Sequence, residues 1–337
     1  MDKVIRTICL FTNEVTSQEV EKLEGIYRLL KERDFSIQTK RICLNSYNTQ
    51  IDDKELSDKG ILLGLGELAF GELNENFADF LKSENKAINL NLTNENIMTE
   101  HIDILFKIIE HKPDNTFRFT YGFNLPASSP YFPSAKFGQN GFSVGLQPTD
   151  LSENCKSVAE WLGKIKSVLE EIDLLLKPFD GYLGIDSSIA PLFQGSSSLV
   201  NFVKRLGINF SHSATTDIYT TISKFIKGKN PKPIGLCGLM FPCLEDFELA
   251  EEYERGNFTI ERNIFLSLHS GLGIDTYPIA VNQDKKRVVE ILKLLQQLSN
   301  KYEKSLSARF VSDGKAHIGE KTDFRNQYLK DVIIQGL

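Results

Sequence analysis

The sequence predicts a single α/β domain, and three observations support this. Apolar, β-branched stretches alternate with amphipathic helical stretches along the chain. The first three are a strand at 4–11, a helix at 16–33 and a strand at 35–44, a β-α-β unit that favours parallel pairing and a right-handed crossover. No linker, internal repeat or low-complexity tract interrupts the 337 residues, so we expect one large domain, with 1–112 as a semi-independent β-α-β part.

The remaining elements follow from the same periodicities. Strands are predicted at 61–65, 87–92, 117–123, 142–146, 181–185, 274–278 and 306–311. Helices are predicted around 77–81 and at 97–109, 151–177, 199–206, 214–226, 258–268 and 288–298, with a further helix starting at Pro242. The segment 124–141, rich in Pro, Gly, Ser and aromatic residues, indicates an ordered loop or a hairpin, with 142–146 as its returning strand. Gly64, Gly66 and Gly71 have GxGxxxxG spacing, which favours a strand-to-helix turn over a dinucleotide loop.

Composition excludes several classes of protein. Hydrophobic residues make up 41% and charged residues 25%, as in soluble globular proteins. The formal net charge of -6 and the lack of a basic cluster argue against nucleic-acid binding. No apolar run is long enough to cross a bilayer, and the N-terminus has the pattern of a first strand rather than of a signal peptide. Five scattered cysteines without CxxC spacing indicate a reducing compartment, so we expect a cytoplasmic protein.

Four acidic residues are the main candidates for chemistry. Asp186, Glu245, Asp246 and Asp275 lie at or near predicted element ends, where an α/β fold presents its loops. Three or four such carboxylates are suited to Mg²⁺, Mn²⁺ or Ca²⁺, whereas a close pair would raise one pKa and supply a general acid. The alternative is structural, because acids in a first helical turn stabilise the helix and others pair with arginines.

Cysteine and histidine give further candidates. Cys237 precedes the turn at Pro242, and a thiol near a helix N-terminus has a lowered pKa and can act as a nucleophile. A buried, unreactive thiol is the commoner case. His212 and His269 are candidate bases or anion donors, although histidines in such positions are more often structural, and the five histidines show no zinc-type spacing.

Six motifs in order make the chain resemble an uncharacterised family, domain of unknown function 711. These are IRTICLF, FRFTYGFNLPASSPYFPSAKF, GIDSSIAP, GLMFPCLED, GLGIDTYP and LSARF followed by GE. The resemblance implies an α/β barrel similar to that of pyruvate formate-lyase and other glycyl radical enzymes. The Arg-Val-x-Gly-Tyr segment that carries the radical in those enzymes is missing from the sequence, so we do not expect their chemistry.

The sequence also departs from this family. Ser270 occupies the position where family members usually carry a cysteine, and Cys237 and Cys243 replace a serine and an aliphatic residue. The four acids are retained, together with Arg118 and Arg309. Because relatives are often encoded beside a small ACT-type protein, the resemblance also implies an ACT-type regulatory partner.

Two functional hypotheses remain open. The first is a non-radical enzyme, in which Arg118 and Arg309 bind the carboxylate of a small anionic metabolite. Its catalytic candidates are Asp275, Glu245, Asp246, His269 and Cys237, and its substrate-binding candidates are Arg118, Arg309, Asp186, Ser187, Ser270, Thr276 and His212. The second is a metabolite-binding regulatory protein with the same pocket and no turnover. Neither hypothesis fixes the oligomeric state, and a homo-oligomer is compatible with both.

Overall fold

A nine-stranded sheet organises the chain in the computed structural model, which describes residues 3–46 and 53–337. The strands are Lys3–Thr12 (β1), Phe35–Leu44 (β2), Ile61–Leu68 (β3), Lys86–Asn91 (β4), Phe119–Phe123 (β5), Gly141–Leu146 (β6), Tyr182–Asp186 (β7), Gly273–Pro278 (β8) and Leu306–Val311 (β9). Their order is β7-β6-β1-β2-β3-β4-β5-β9-β8. All neighbours are parallel except β6 with β1 and β9 with β5. The predicted single α/β domain is therefore confirmed.

Helices connect most of these strands. They are Ser17–Lys31 (α1), Asp53–Asp58 (α2), Phe70–Lys82 (α3), Thr99–His111 (α4), Val158–Leu176 (α5), Leu199–Arg205 (α6), Phe210–Ser213 (α7), Ile218–Gly228 (α8), Phe247–Glu254 (α9), Ile260–His269 (α10) and Lys285–Tyr302 (α11). Within the described ranges, no helix combines the length and the apolar character needed to cross a membrane.

The first β-α-β unit forms as the sequence predicts. β1 and β2 pair in parallel, and Thr16 caps α1 by accepting a hydrogen bond from the backbone N–H of Glu19. Leu23 and Ile26 of α1 join the main hydrophobic core with Ile8 and Ile42 of the two strands. One face of β1 and β2 therefore packs against helices. The opposite face points towards the interior of the fold.

The segment between β5 and β6 packs on that other face. Phe132 and Ala135 form a second small core with Cys9 and Cys43. The Asn89 amide of β4 donates to the carbonyls of Gly66, Pro133 and Ala135, at 3.1, 3.3 and 2.8 Å. The ordered-loop prediction is confirmed. The hairpin alternative is wrong, because β6 pairs with β1 and β7 rather than with β5.

Gly64 has a packing role. It lies within β3, and a Cβ atom at this position would stand 2.5 Å from the ring of Phe132. A glycine here lets the loop approach the strand closely, so neither the predicted turn nor a dinucleotide loop accounts for it.

β7 and β8 are the two edges of the nine-stranded sheet, which is open in its regular strands. Isolated bridges join Ile185 to Pro233 and Ile189 to Leu239 near one edge. Leu239 also bridges to Gly271, and Pro242 bridges to Asp275 of β8. The segment 233–242 therefore runs between the two edges.

Three predicted helix boundaries are wrong. The helix expected at Pro242 begins at Phe247, because the Asp246 side chain accepts hydrogen bonds from the N–H groups of Glu248 and Leu249 and so caps α9. The helix expected at 151–177 begins at Val158, after a 3₁₀ turn at Pro148–Ser152. The helix expected at 214–226 spans Ile218–Gly228, and residues 210–213 form a separate short helix.

Candidate functional site

A cavity of about 680 Å³ lies against the interior face of the sheet. Its walls include Arg6 of β1, Arg41 of β2 and Arg309 of β9. From β3 to β5 it is lined by residues at or just before the strand starts, such as Ile61, Asn85 and Arg118. The cavity therefore lies towards the amino ends of these parallel strands.

Two carboxylates and one guanidinium form the polar centre of the cavity. Arg309 Nε donates to Asp275 Oδ1 at 2.6 Å, and its Nη2 donates to Glu245 Oε2 at 2.7 Å. Arg309 is 7% exposed, and its guanidinium lies 5.0 Å from the centre of the Phe117 ring. A buried guanidinium held by two acids and a ring has a fixed orientation, so the position of both acids is fixed as well.

The backbone of β8 accounts for the position of Asp275. The pairing register of β8 with β9 shifts between Ile274 and Tyr277, and Thr276 within this shift has φ +38°. The Asp275 carbonyl accepts a hydrogen bond from the Cys243 N–H at 2.9 Å. A β-branched residue with positive φ is strained, and such irregularities re-aim side chains near functional sites.

Arg41 is the cavity residue whose buried surroundings are the most unusual for a charged side chain. It is 7% exposed, and its guanidinium donates to Thr39 Oγ1 and to the Pro130 carbonyl, both at 3.1 Å. It lies 4.9 Å from the centre of the Phe132 ring. Among the residues that the structure describes, it forms no ion pair with a carboxylate. Burial, and then the charge of Arg6, lowers its pKa to about 10, so it remains a cation at neutral pH.

Arg6 and Arg118 complete the charged lining. Arg6 donates to Gln38 Oε1 at 3.0 Å and more weakly to Glu245 Oε1 at 3.4 Å. Arg118 donates to the Ser83 carbonyl at 3.1 Å and to the side chain of Asn115. Among the residues that the structure describes, four arginines thus share the wall with two acids, so their charges sum to a positive excess.

Burial raises the pKa of Glu245 above its ordinary value. The charge of Arg309 opposes this shift, and the charge of Asp275 adds to it. For Arg309, burial lowers the pKa, but the charges of Asp275 and Glu245 outweigh burial and raise it. At Glu245 the effect of burial therefore outweighs the opposing charges of Arg309 and Arg6.

Asp186 lies outside the cavity and has a structural environment. It is fully buried and accepts hydrogen bonds from the side chains of Ser129 and Ser188, at 2.8 and 2.6 Å. It also accepts from the N–H groups of Ser188, Leu236 and Cys237 at 2.8 to 3.0 Å. Burial raises its pKa, and these hydrogen bonds oppose the shift.

Asp246 is likewise committed to the backbone, because it caps α9 and accepts from the Leu199 N–H at 3.0 Å. Of the four acids predicted as metal ligands, only Glu245 and Asp275 border the cavity. Within the described part of the chain, no three His, Cys, Asp or Glu side chains come together as a metal ligand set. The four predicted ligands are therefore not brought together.

Cys237 and His269 lie in a second cavity of about 590 Å³. Burial, with a contribution from Asp186, raises the pKa of Cys237 to about 11, so the thiol is protonated at neutral pH. Burial and then Lys304 lower the pKa of His269, whose Nδ1 lies 2.8 Å from Ser270 Oγ. Cys237 and His269 therefore border a different cavity from that of the arginines, and Ser270 contacts His269.

The other substrate-binding candidates are dispersed. Ser187 is buried and donates to the Ile226 carbonyl at 2.9 Å. Thr276 is buried in β8, and His212 is exposed on α7. Arg118 and Arg309 do lie together with Glu245 and Asp275 in one cavity.

Arg6 and Arg41 were not among the site residues predicted from the sequence. The available signal was a charged residue inside an apolar strand, as in VIRTICLF and KRICL. Such a residue has to be satisfied inside the fold, and this requirement marks it as a candidate.

Fold and cavity together define a single-domain α/β protein with an arginine-rich interior pocket. The chain belongs to the family described as Uncharacterised ACR (DUF711), whose model matches residues 79–326. The resemblance drawn from the six motifs is thereby confirmed at the level of the family. No curated protein matches the chain. The matched range includes Arg118 and Arg309, whereas Arg6 and Arg41 lie before it.

Proposed function

We propose that the protein binds a small organic anion in the arginine-lined cavity and acts on it as a non-radical enzyme. The observation that carries this proposal is Arg41, a buried cation without a carboxylate partner among the described residues. Burying an unpaired charge costs several kcal/mol unless a counter-charge offsets it. An anion beside Arg41 would supply that counter-charge.

Glu245 and Asp275 are the proposed acid and base. Both lie in the cavity wall, and both contact Arg309, so a bound anion would sit beside groups able to exchange protons. The raised pKa of Glu245 favours it as the proton donor and leaves Asp275 as the acceptor. A divalent cation is a less supported variant, because both acids are already paired with Arg309.

A metabolite-binding regulatory protein is the alternative. The same ion pairs favour it, because carboxylates held by a guanidinium are weak proton acceptors. The ACT-type partner implied by the family resemblance would fit this alternative. Under it, the anion binds and is recovered unchanged.

We also propose that the sheet is part of a barrel of the pyruvate formate-lyase type. The isolated bridges on both sides of the segment 233–242 support this, since they extend the pairing from both edge strands. Fold similarity of this kind does not carry over the chemistry.

The binding proposal is tested by isothermal titration calorimetry with acetate, succinate, citrate and inorganic phosphate, using the full chain and its Arg41→Gln variant. We expect at least one anion to bind, and Arg41→Gln to weaken it by roughly tenfold or more, as expected for a lost charged hydrogen bond. Bound anions would then be incubated with the protein and followed by NMR to separate turnover from binding alone.

Arg262→Gln is the matched control. Arg262 also lies over an aromatic ring, 4.8 Å from the centre of Phe210, and donates to backbone carbonyls, but it does not line the cavity. Its substitution should leave the anion affinity within about twofold. Equal effects of the two substitutions, or no binding of any anion, would remove the basis for the proposal.

A further inference from the structure

The arginine-lined cavity has an aromatic wall, formed by Phe117, Phe132, Phe193 and Tyr328. Phe117 and Phe132 lie beneath the guanidinium groups of Arg309 and Arg41. Phe193 and Tyr328 stack on each other, with ring centres 5.8 Å apart and planes 22° apart. The aromatic wall therefore has two rings against arginines and two rings stacked on each other.

The aromatic wall keeps part of its surface uncovered. Phe117, Phe132 and Phe193 are half-buried, and Tyr328 is 37% exposed. An apolar surface rimmed by polar groups in a concave site is typical of a ligand-binding site. Since a carboxylate alone would fill little of the 680 Å³, the ligand should have a body as well as a charge.

The backbone conformation of Phe193 is a second, independent observation about the aromatic wall. It has φ +63°, a conformation that is strained for a bulky side chain. Its N–H donates to the Glu245 carbonyl at 2.6 Å, and its carbonyl accepts from the Phe247 N–H at 2.8 Å. These two bonds hold the strained residue beside Glu245, where its ring lines the cavity.

We infer that the ligand is an organic anion with a planar aromatic ring, whose charged group lies on the arginines and whose ring stacks on the aromatic wall. This inference rests on the proposed function, because it requires that the cavity binds an anion. Planar rings gain from stacking on aromatic side chains and on guanidinium groups, whereas saturated rings of similar size gain only from burial.

Matched ligands test this inference. We would compare 2-naphthoate and benzoate with cyclohexanecarboxylate, acetate and uncharged benzamide by calorimetry. Benzoate should bind roughly fivefold to tenfold more tightly than cyclohexanecarboxylate, and benzamide should bind weakest of the ring compounds. No binding of any carboxylate would contradict the proposed function itself, whereas equal affinities for benzoate and cyclohexanecarboxylate would overturn only the aromatic inference.

Phe193→Leu should remove most of the preference for benzoate over cyclohexanecarboxylate, and it should weaken benzoate more than acetate. Phe193→Gly removes the ring while relieving the strained backbone, so it keeps the test valid if the leucine variant is unstable. Phe265→Leu is the control, because Phe265 is exposed on α10 outside the cavity. A preference that survives both Phe193 variants would overturn the role assigned to the aromatic wall.

Discussion

Asp246 was predicted as an acid of the site, but its hydrogen bonds give it a structural role. Its Oδ1 accepts from the first turn of α9, and its Oδ2 accepts from Leu199 at the start of α6. A side chain that satisfies the free N–H groups of two helices orients them relative to each other. Its role is therefore explained without any ligand.

The same residue gives a pH-dependent prediction. Burial raises the pKa of Asp246 to about 7, whereas an unfolded aspartate titrates near pH 4. The folded state thus keeps a proton that the unfolded state releases, and this stabilisation is lost as the pH rises through about 7. We expect the free energy of unfolding to fall between pH 5 and 7.5, by at most about 2.5 kcal/mol from this group.

Urea denaturation across this range measures the effect. Asp246→Asn should flatten the pH profile, because the variant has no proton to release at this position. Asp284→Asn is the control, since Asp284 is an exposed N-cap of α11. A wild-type stability that rises from pH 5 to 7.5, or an Asp246→Asn profile as steep as that of wild type, would contradict the prediction.

At the scale of elements, the close contact between β3 and the loop between β5 and β6 positions part of the site. Gly64 allows Phe132 to pack on the strand, and Phe132 in turn lies beneath Arg41. One glycine in a strand is therefore linked through a ring to the cation that we propose binds the anion.

Gly64→Ala should lower the free energy of unfolding by about 1–3 kcal/mol, because the new methyl group would overlap the Phe132 ring. It should also weaken anion binding, since Phe132 has to move and Arg41 loses its support. Chemical denaturation and calorimetry measure the two effects. Gly163→Ala is the control, because Gly163 lies in α5 with open space around it, and alanine should stabilise that helix slightly. The double variant Gly64→Ala, Phe132→Leu should recover stability. A Gly64→Ala variant as stable as wild type would show that the close contact between residue 64 and the Phe132 ring is unimportant.

Element identity could be predicted from the sequence better than element ends. Strands such as β1 and β9 follow from apolar runs, whose burial is a local property. The start of α9 was misplaced although Asp246 is itself a capping residue, because Pro242 four residues earlier is an equally local start signal. The partner of β6 was also out of reach, because its pairing with β1 joins residues that are distant in the chain.

At the scale of the whole molecule, the cavity joins residues from both ends of the chain. Arg6 and Arg309 both contact Glu245, which only the complete sheet brings about. The candidate acids were predicted to lie at or near element ends, and the cavity that holds two of them reaches the amino ends of β3 to β5. Asp275 and Arg309 could still be predicted as site residues, because acids and arginines in apolar segments require partners. The same signal marks Arg41 within β2, but its lack of a carboxylate partner among the described residues became evident only from the structure.

Asp186 links parts of the molecule that are far apart in sequence. Its carboxylate joins the end of β7 to Ser129 of the loop between β5 and β6 and to the N–H groups of Leu236 and Cys237. Those two residues belong to the segment that runs between β7 and β8. We therefore expect Asp186 to stabilise the connection between the two edges of the sheet.

Asp186→Asn replaces one acceptor oxygen by a donor, which leaves buried donors without a partner. We expect the free energy of unfolding to fall by roughly 2–4 kcal/mol, and amide hydrogens of residues 236–239 to exchange faster than those of β1. Asp284→Asn should cost far less, because asparagine is as good an N-cap as aspartate. If Asp186→Asn unfolded at the wild-type urea concentration with unchanged exchange at 236–239, the connection between the edges would depend on the backbone bridges alone. A large loss of stability, together with faster exchange at residues 236–239 only, would instead show that Asp186 connects the two edges of the sheet.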